Sequence, residues 1–265
     1  MGNNYFSYCD SNPVNRWDPS GLADDTYSLA RMYLDYYEQQ QSVAIGQYES
    51  AQVDLTIAQG RYDQAQTAQD IAATQAEIKN AKAAIDKANR DINRAFMSFA
   101  NIYGQALCGT LEITGVVYDV PYFQQGGEGS STQYLCWAYC QVMVEAWASG
   151  TPNLTQADGD RMVNVLSKGK NEMGLPKIKK DDNGLAEYVD FTQWNLQTEL
   201  MRGPMYIFTS NDPHMAVSAG YASATGFPTI YKVMDPWPKS SGVYYATFND
   251  LSKNFNGMAV PACVN

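Results

Sequence analysis

Between Pro19 and Pro121 the chain contains no proline. Inside that window Ile71, Ile78, Ile85, Ile92 and Phe99 recur at seven-residue intervals, interleaved with Ala81, Ala88 and Ala95. A proline-free run with a sustained heptad repeat predicts a long helix that buries one stripe against a partner. A second stripe supplies that partner within the same chain: Ala44, Tyr48, Ala51, Leu55, Ala58, Tyr62 and Ala65. Gly60 lies between the bulk of the two stripes, so the spacing predicts an antiparallel helical hairpin over residues 23–106 that turns near Gly60. Gly46 is a further candidate break in the first arm. The faces are too polar and charged to read as a pore, and the hairpin reads as a structural or docking element.

After this region the pattern changes. "CWAYCQVMVEAWASG" reads as a helix stopped by Gly150, "LTQADGDRMVNVLSKG" as a capped helix and "FTQWNLQTELMRG" as a third. Strand-like runs follow: "PMYIFT", "HMAVSAGYASA", "PTIYKVMD" and "GVYYATF". Helices followed by strands predict an α+β domain over residues 107–265, with helices on one side of an antiparallel sheet. An apolar content of 45% supports a real core.

Charge and cysteine usage narrow the chemistry. A formal net charge of −10 argues against nucleic acid as the main partner, because phosphate binding needs clustered Lys and Arg. No run of apolar residues is long enough for a membrane span, and the polar start "MGNNYFSYCDSNP" shows no signal peptide. Five scattered cysteines, Cys9, Cys108, Cys136, Cys140 and Cys263, make a poor disulfide framework, and free thiols agree with action in a reducing cytosol. With no Cys-x-x-Cys pair and one histidine, the chain offers no zinc site, and no metal or organic cofactor is expected. Any imidazole chemistry falls to His214.

The stretch "VPYFQQGGEGSSTQYLCWAYC" places Cys136 at the mouth of a helix, behind a polar loop rich in Gln, Gly and Ser. A helix N-terminus stabilises the nucleophilic thiolate. A small buried core residue is the ordinary role of such a cysteine, and that role suits Cys140, one turn later. His214 opens an apolar strand after "SNDP", where a base would be reachable, although a lone histidine at a strand edge is more often structural. Asp235 opens "DPWP"; it reads either as a turn initiator or as the group that fixes the His214 tautomer.

In their joint order, Gln125-Gly126, Cys136-Trp137-Ala138, His214-Met215-Ala216-Val217 and Asp235-Pro236-Trp237 resemble the papain-like cysteine peptidases, from Val117 onward. The resemblance implies a papain-like fold, with Cys136 as nucleophile, His214 as base and then acid, and Asp235 as orienter. It further implies Trp137 and Trp237 as supports, Trp237 shielding the His–Asp pair. The oxyanion would be held by the Gln125 amide and the Cys136 backbone N–H. The family's Gln usually stands about six residues before the nucleophile, whereas here the interval is eleven residues, so Gln124 and Gln133 are alternatives to Gln125. "HMAV" carries an extra Met215 relative to the usual His-Ala-Val.

Residues 1–22 resemble the end of the Rhs/YD-repeat core, through the tyrosines ahead of "NPVN" and the run Asp18-Pro19-Ser20-Gly21-Leu22. That resemblance implies self-cleavage after Leu22 and release of residues 23–265 as a toxin delivered into a target-cell cytoplasm. The upstream Asp-Pro-x-Gly partner motif of that family is absent from this sequence, so this chain is not expected to cut itself. The partners implied are the Rhs core before release, a protein substrate in the target-cell cytosol and a cognate immunity protein. Two other readings stand beside protease toxin. One is a glutamine deamidase or acyltransferase using the same Cys-His-Asp site; the other is a non-catalytic binding or translocation module.

Overall fold

The computed structural model describes residues 26–182, 184–209, 214–238 and 242–264. Residues 1–22 and the expected cut after Leu22 lie outside them, as does Cys9. The described residues divide into two compact units, residues 33–108 and residues 109–264 together with residues 26–32.

The first unit is a helical hairpin of α1 (Thr26–Gln64), from Tyr33 onward, and α2 (Ala68–Leu107). Two contacts define its antiparallel register: Arg61 pairs with Glu77 at 3.4 Å near the turn, and Tyr37 bonds Ser98 far from it. The reversal does not fall at Gly60. Helix α1 runs unbroken through Gly46 and Gly60, and the turn occupies residues 65–67. A glycine costs only about 1 kcal/mol inside a helix that buries one face. Thr67 is the stronger stop signal: its Oγ1 accepts from the Asp70 N–H at 3.1 Å and caps α2. The seam is built of alanine, with Ala44, Ala51 and Ala58 on α1 and Ala81, Ala88 and Ala95 on α2 all buried. Tyr48, Leu55, Ile78, Ile85 and Ile92 flank it half-buried, and Ile71 is exposed.

The second unit is α+β. Its antiparallel sheet runs β2 (Tyr188–Val189), β7 (Gly257–Ala259), β3 (Met205–Thr209), β4 (His214–Ala224), β5 (Ile230–Met234) and β6 (Val243–Thr247). Strand β1 (Ile113–Val117) pairs with the far half of β4. Along one edge of β4, residues 214–218 pair with β3 and residues 220–224 with β1. Gly220 marks the changeover. Its φ is +143°, and a Cβ there would lie 2.3 Å from the Val116 carbonyl oxygen, so only glycine lets β1 approach.

Helix α3 (Cys136–Ala148) packs on β4 and against α4 (Gln156–Leu166), whose Thr155–Asp158 capping box fixes its start. Apolar nearly all round, α3 is the buried centre of the unit. Helices α5 (Gln193–Leu200) and α6 (Phe248–Asn254) complete it. The core joins Tyr139, Met143 and Val144 of α3 to Ile207, Val217 and Val233 of the sheet. Among the described residues, no helix is long and apolar enough to cross a membrane.

Candidate active site

The first residue of α3, the first residue of β4 and the residue after β5 come together. Strands β4 and β5 are hydrogen-bonded neighbours with Val217 opposite Met234, which carries His214 and Asp235 to the same end of the sheet. His214 Nε2 lies 3.0 Å from Asp235 Oδ2. The same imidazole also hydrogen-bonds the Cys136 side chain. The α3 N-cap, Leu135, has no side-chain oxygen and makes no capping bond to the first turn.

Asp235 is held on every side. Its Oδ1 accepts from the Trp237 N–H at 2.9 Å, its own N–H donates to the Gly242 carbonyl at 2.8 Å, and its carbonyl accepts from the Tyr122 hydroxyl at 3.0 Å. The residue is only 5% exposed, so the carboxylate is committed to these partners and to His214. Phe255 stacks on the imidazole with centroids 6.2 Å apart, and Trp237 meets it edge-on at 6.4 Å.

These contacts set the protonation of the imidazole. Burial alone pushes His214 down. The bonds to Asp235 and Cys136, with the electrostatic pull of the same two groups, outweigh it and push the ring up to about 10. Cys140 has a different environment. It is fully buried, its thiol donates to the Met215 carbonyl at 3.4 Å, and burial foremost raises it well above the ordinary thiol value. Nothing holds Cys140 ready to react.

The three glutamines separate by environment. Gln125 is 3% exposed; its N–H donates to the Pro236 carbonyl at 2.9 Å and its Nε2 to the Gln133 carbonyl at 3.1 Å. Its Oε1 is buried and has no hydrogen-bond partner among the described residues. Gln124 is exposed, its backbone bonded to the Gln156 side chain, while the Gln133 side chain accepts from the Gly129 N–H. The long Gln-to-Cys interval is a loop folded on itself: Gly126 N–H donates to Thr132 Oγ1 at 2.7 Å, and Asn171 Nδ2 donates to the Ser130 carbonyl at 3.2 Å.

A cleft opens beside Cys136 and His214, lined chiefly by Trp137, Met173, Leu175, Ile178, Tyr188 and Phe208. Residues 171–178, Tyr122 and Phe255 were not legible as site elements in the sequence. The one available signal was Gln141, a buried amide in α3, whose Oε1 accepts from the Lys177 N–H at 2.9 Å.

The sequence profile of the family described as papain-like cysteine protease AvrRpt2 matches residues 115–253, just over half of the chain. No curated protein and no solved structure matches the chain. The matched span includes the helix that Cys136 opens, the strand that His214 opens and Asp235, and the chain belongs to the papain-like cysteine protease AvrRpt2 family.

Proposed function

We propose that the protein is an endopeptidase in which Cys136 attacks the scissile carbonyl, His214 relays the proton and Asp235 orients the imidazole. The observation that carries this reading is the chain of contacts from Cys136 through His214 to the buried, fully engaged Asp235. Attack joins Cys136 Sγ to the carbonyl carbon. His214 then protonates the leaving amine, and a water deprotonated by the same ring releases the acid. The oxyanion is received by the Cys136 N–H and the Gln125 amide, whose Nε2 carries two hydrogens and spends one on Gln133. Trp237 and Phe255 cover the His–Asp pair from water, and the apolar cleft receives an apolar substrate side chain.

We further propose that this peptidase is the payload of an Rhs-type interbacterial effector that acts on a cytosolic protein of the target cell and is held in check by an immunity protein in the producer. Support comes from residues 1–22, whose motif is followed directly by the hairpin and peptidase regions. The test is growth of bacteria expressing wild type or Cys136→Ala, with new protein N-termini mapped. Wild-type toxicity with discrete new termini supports the reading. Equal growth of both overturns the toxin reading. Toxicity through Cys136 with no new termini replaces cleavage by deamidation or acyl transfer.

A further inference from the structure

Helix α3 holds the cleft wall through side chains one turn apart. Trp137 Nε1 donates to the Glu172 carbonyl at 3.1 Å, and its ring lies beneath Gly174, where a Cβ would come within 2.6 Å of it. One turn on, Gln141 Oε1 accepts from the Lys177 backbone N–H at 2.9 Å while its Nε2 donates to Glu145 Oε1 at 2.8 Å. One further turn on, that same Glu145 oxygen pairs with Lys177 Nζ at 3.1 Å. Positions 137, 141 and 145 thus form a single row on the helix. Along the row lie residues 172–177, including Met173 and Leu175, which line the cleft although they are 60% and 69% exposed.

Gln141 is the member of this row that ordinary packing does not explain. It is 1% exposed in a helix whose other buried residues are apolar, apart from the two cysteines. A buried amide is tolerated only when it is hydrogen-bonded, and both of its ends are used here. A methionine would fill similar space without either bond, so what the amide adds is its grip on the Lys177 N–H.

We propose that Gln141 is a positioning residue: it keeps residues 172–177 in register with the helix that starts at Cys136, and so determines how tightly the cleft grips an apolar substrate side chain. This rests on the peptidase reading given above. Gln141 does not touch the reacting atoms, so its loss weakens substrate binding and leaves the chemical step alone.

The test uses the full chain as wild type, Gln141→Met, and the exchanged pair Gln141→Glu with Glu145→Gln. The exchanged pair keeps an acceptor for the Lys177 N–H and a donor at position 145. Two quantities are read: KM and kcat on peptides offering the cleft leucine or glycine, and hydrogen exchange of the amides of residues 172–177. Gln141→Met is expected to raise KM for the leucine peptide about tenfold, with kcat within about twofold of wild type. The leucine-over-glycine preference falls, the wall amides exchange faster, and the exchanged pair restores both. A wild-type KM and wild-type exchange in Gln141→Met overturn the proposal, as does a fall in kcat with KM unchanged. If wild type cleaves no peptide, the peptidase reading fails; amide exchange alone then decides whether Gln141 holds the wall.

Discussion

His214 Nε2 and Asp235 Oδ2 stand 3.0 Å apart across two hydrogen-bonded strands, with the carboxylate buried and its other oxygen held by the Trp237 N–H. The sheet register makes this pair, so imidazole orientation is built into the fold rather than left to a mobile loop. An imidazole pushed up to about 10 is a proton donor across the neutral range, as protonation of a leaving amine requires.

Asp235→Asn leaves an acceptor beside the imidazole but removes the carboxylate charge that, together with the Cys136 contact, raises His214. The pH profile of kcat/KM for wild type is expected to fall on an alkaline limb near about 10. In Asp235→Asn that limb moves down toward the ordinary histidine value, and the maximum drops by about a hundredfold or more. An unmoved limb would assign it to another group.

The same shift has a consequence for stability. The folded-state value of His214 lies above its unfolded value of 6.5, so the folded state binds the proton more tightly. The stabilisation is present in full below about 6.5 and is lost as pH rises through about 10. Urea unfolding of wild type and His214→Gln across this range should show their stability difference shrinking as pH rises.

Gly220→Ala is expected to destabilise the second unit by about 2 kcal/mol or more, since the new Cβ meets the Val116 carbonyl and φ is +143°. The urea midpoint measures this, and loss of the β1 pairing should appear as faster amide exchange in residues 113–117.

In the hairpin, Ala88→Leu overfills a buried seam position and should cost about 1–3 kcal/mol. Phe96→Ala, at an exposed position, should shift stability by less than about 0.5 kcal/mol. Thermal unfolding of the two variants separates the buried alanine seam from the exposed face of α2.

The hairpin, helices α3 to α5 and strands β3 to β6 were legible because each carries its own period: heptads in α1 and α2, and apolar runs bounded by turn residues in the strands; β1, β2, α6 and β7, which interrupt the simple order of helices then strands, were not. Which heptad layer is buried was not legible, because alanine layers alternate with large ones in both helices (Tyr and Leu in α1, Ile in α2) and only the pairing decides between them. The turn was misplaced because Gly60 is conspicuous in sequence, whereas the Thr67–Asp70 cap acts through side-chain geometry. Cys136, His214 and Asp235 could be named from local motifs. Gln141 and Phe255 could not, since the first acts through a loop 36 residues away and the second through a ring contact with His214 made from the end of α6.

Mass spectrometry of a mixed peptide library incubated with purified wild type and Cys136→Ala in ¹⁸O-labelled water tests the peptidase assignment most directly. Discrete cuts with labelled new C-termini are expected in the wild-type reaction, with a loss of about a thousandfold or more in Cys136→Ala. The same cuts from both proteins would contradict the assignment. So would uncut peptides whose glutamines had been hydrolysed to glutamate.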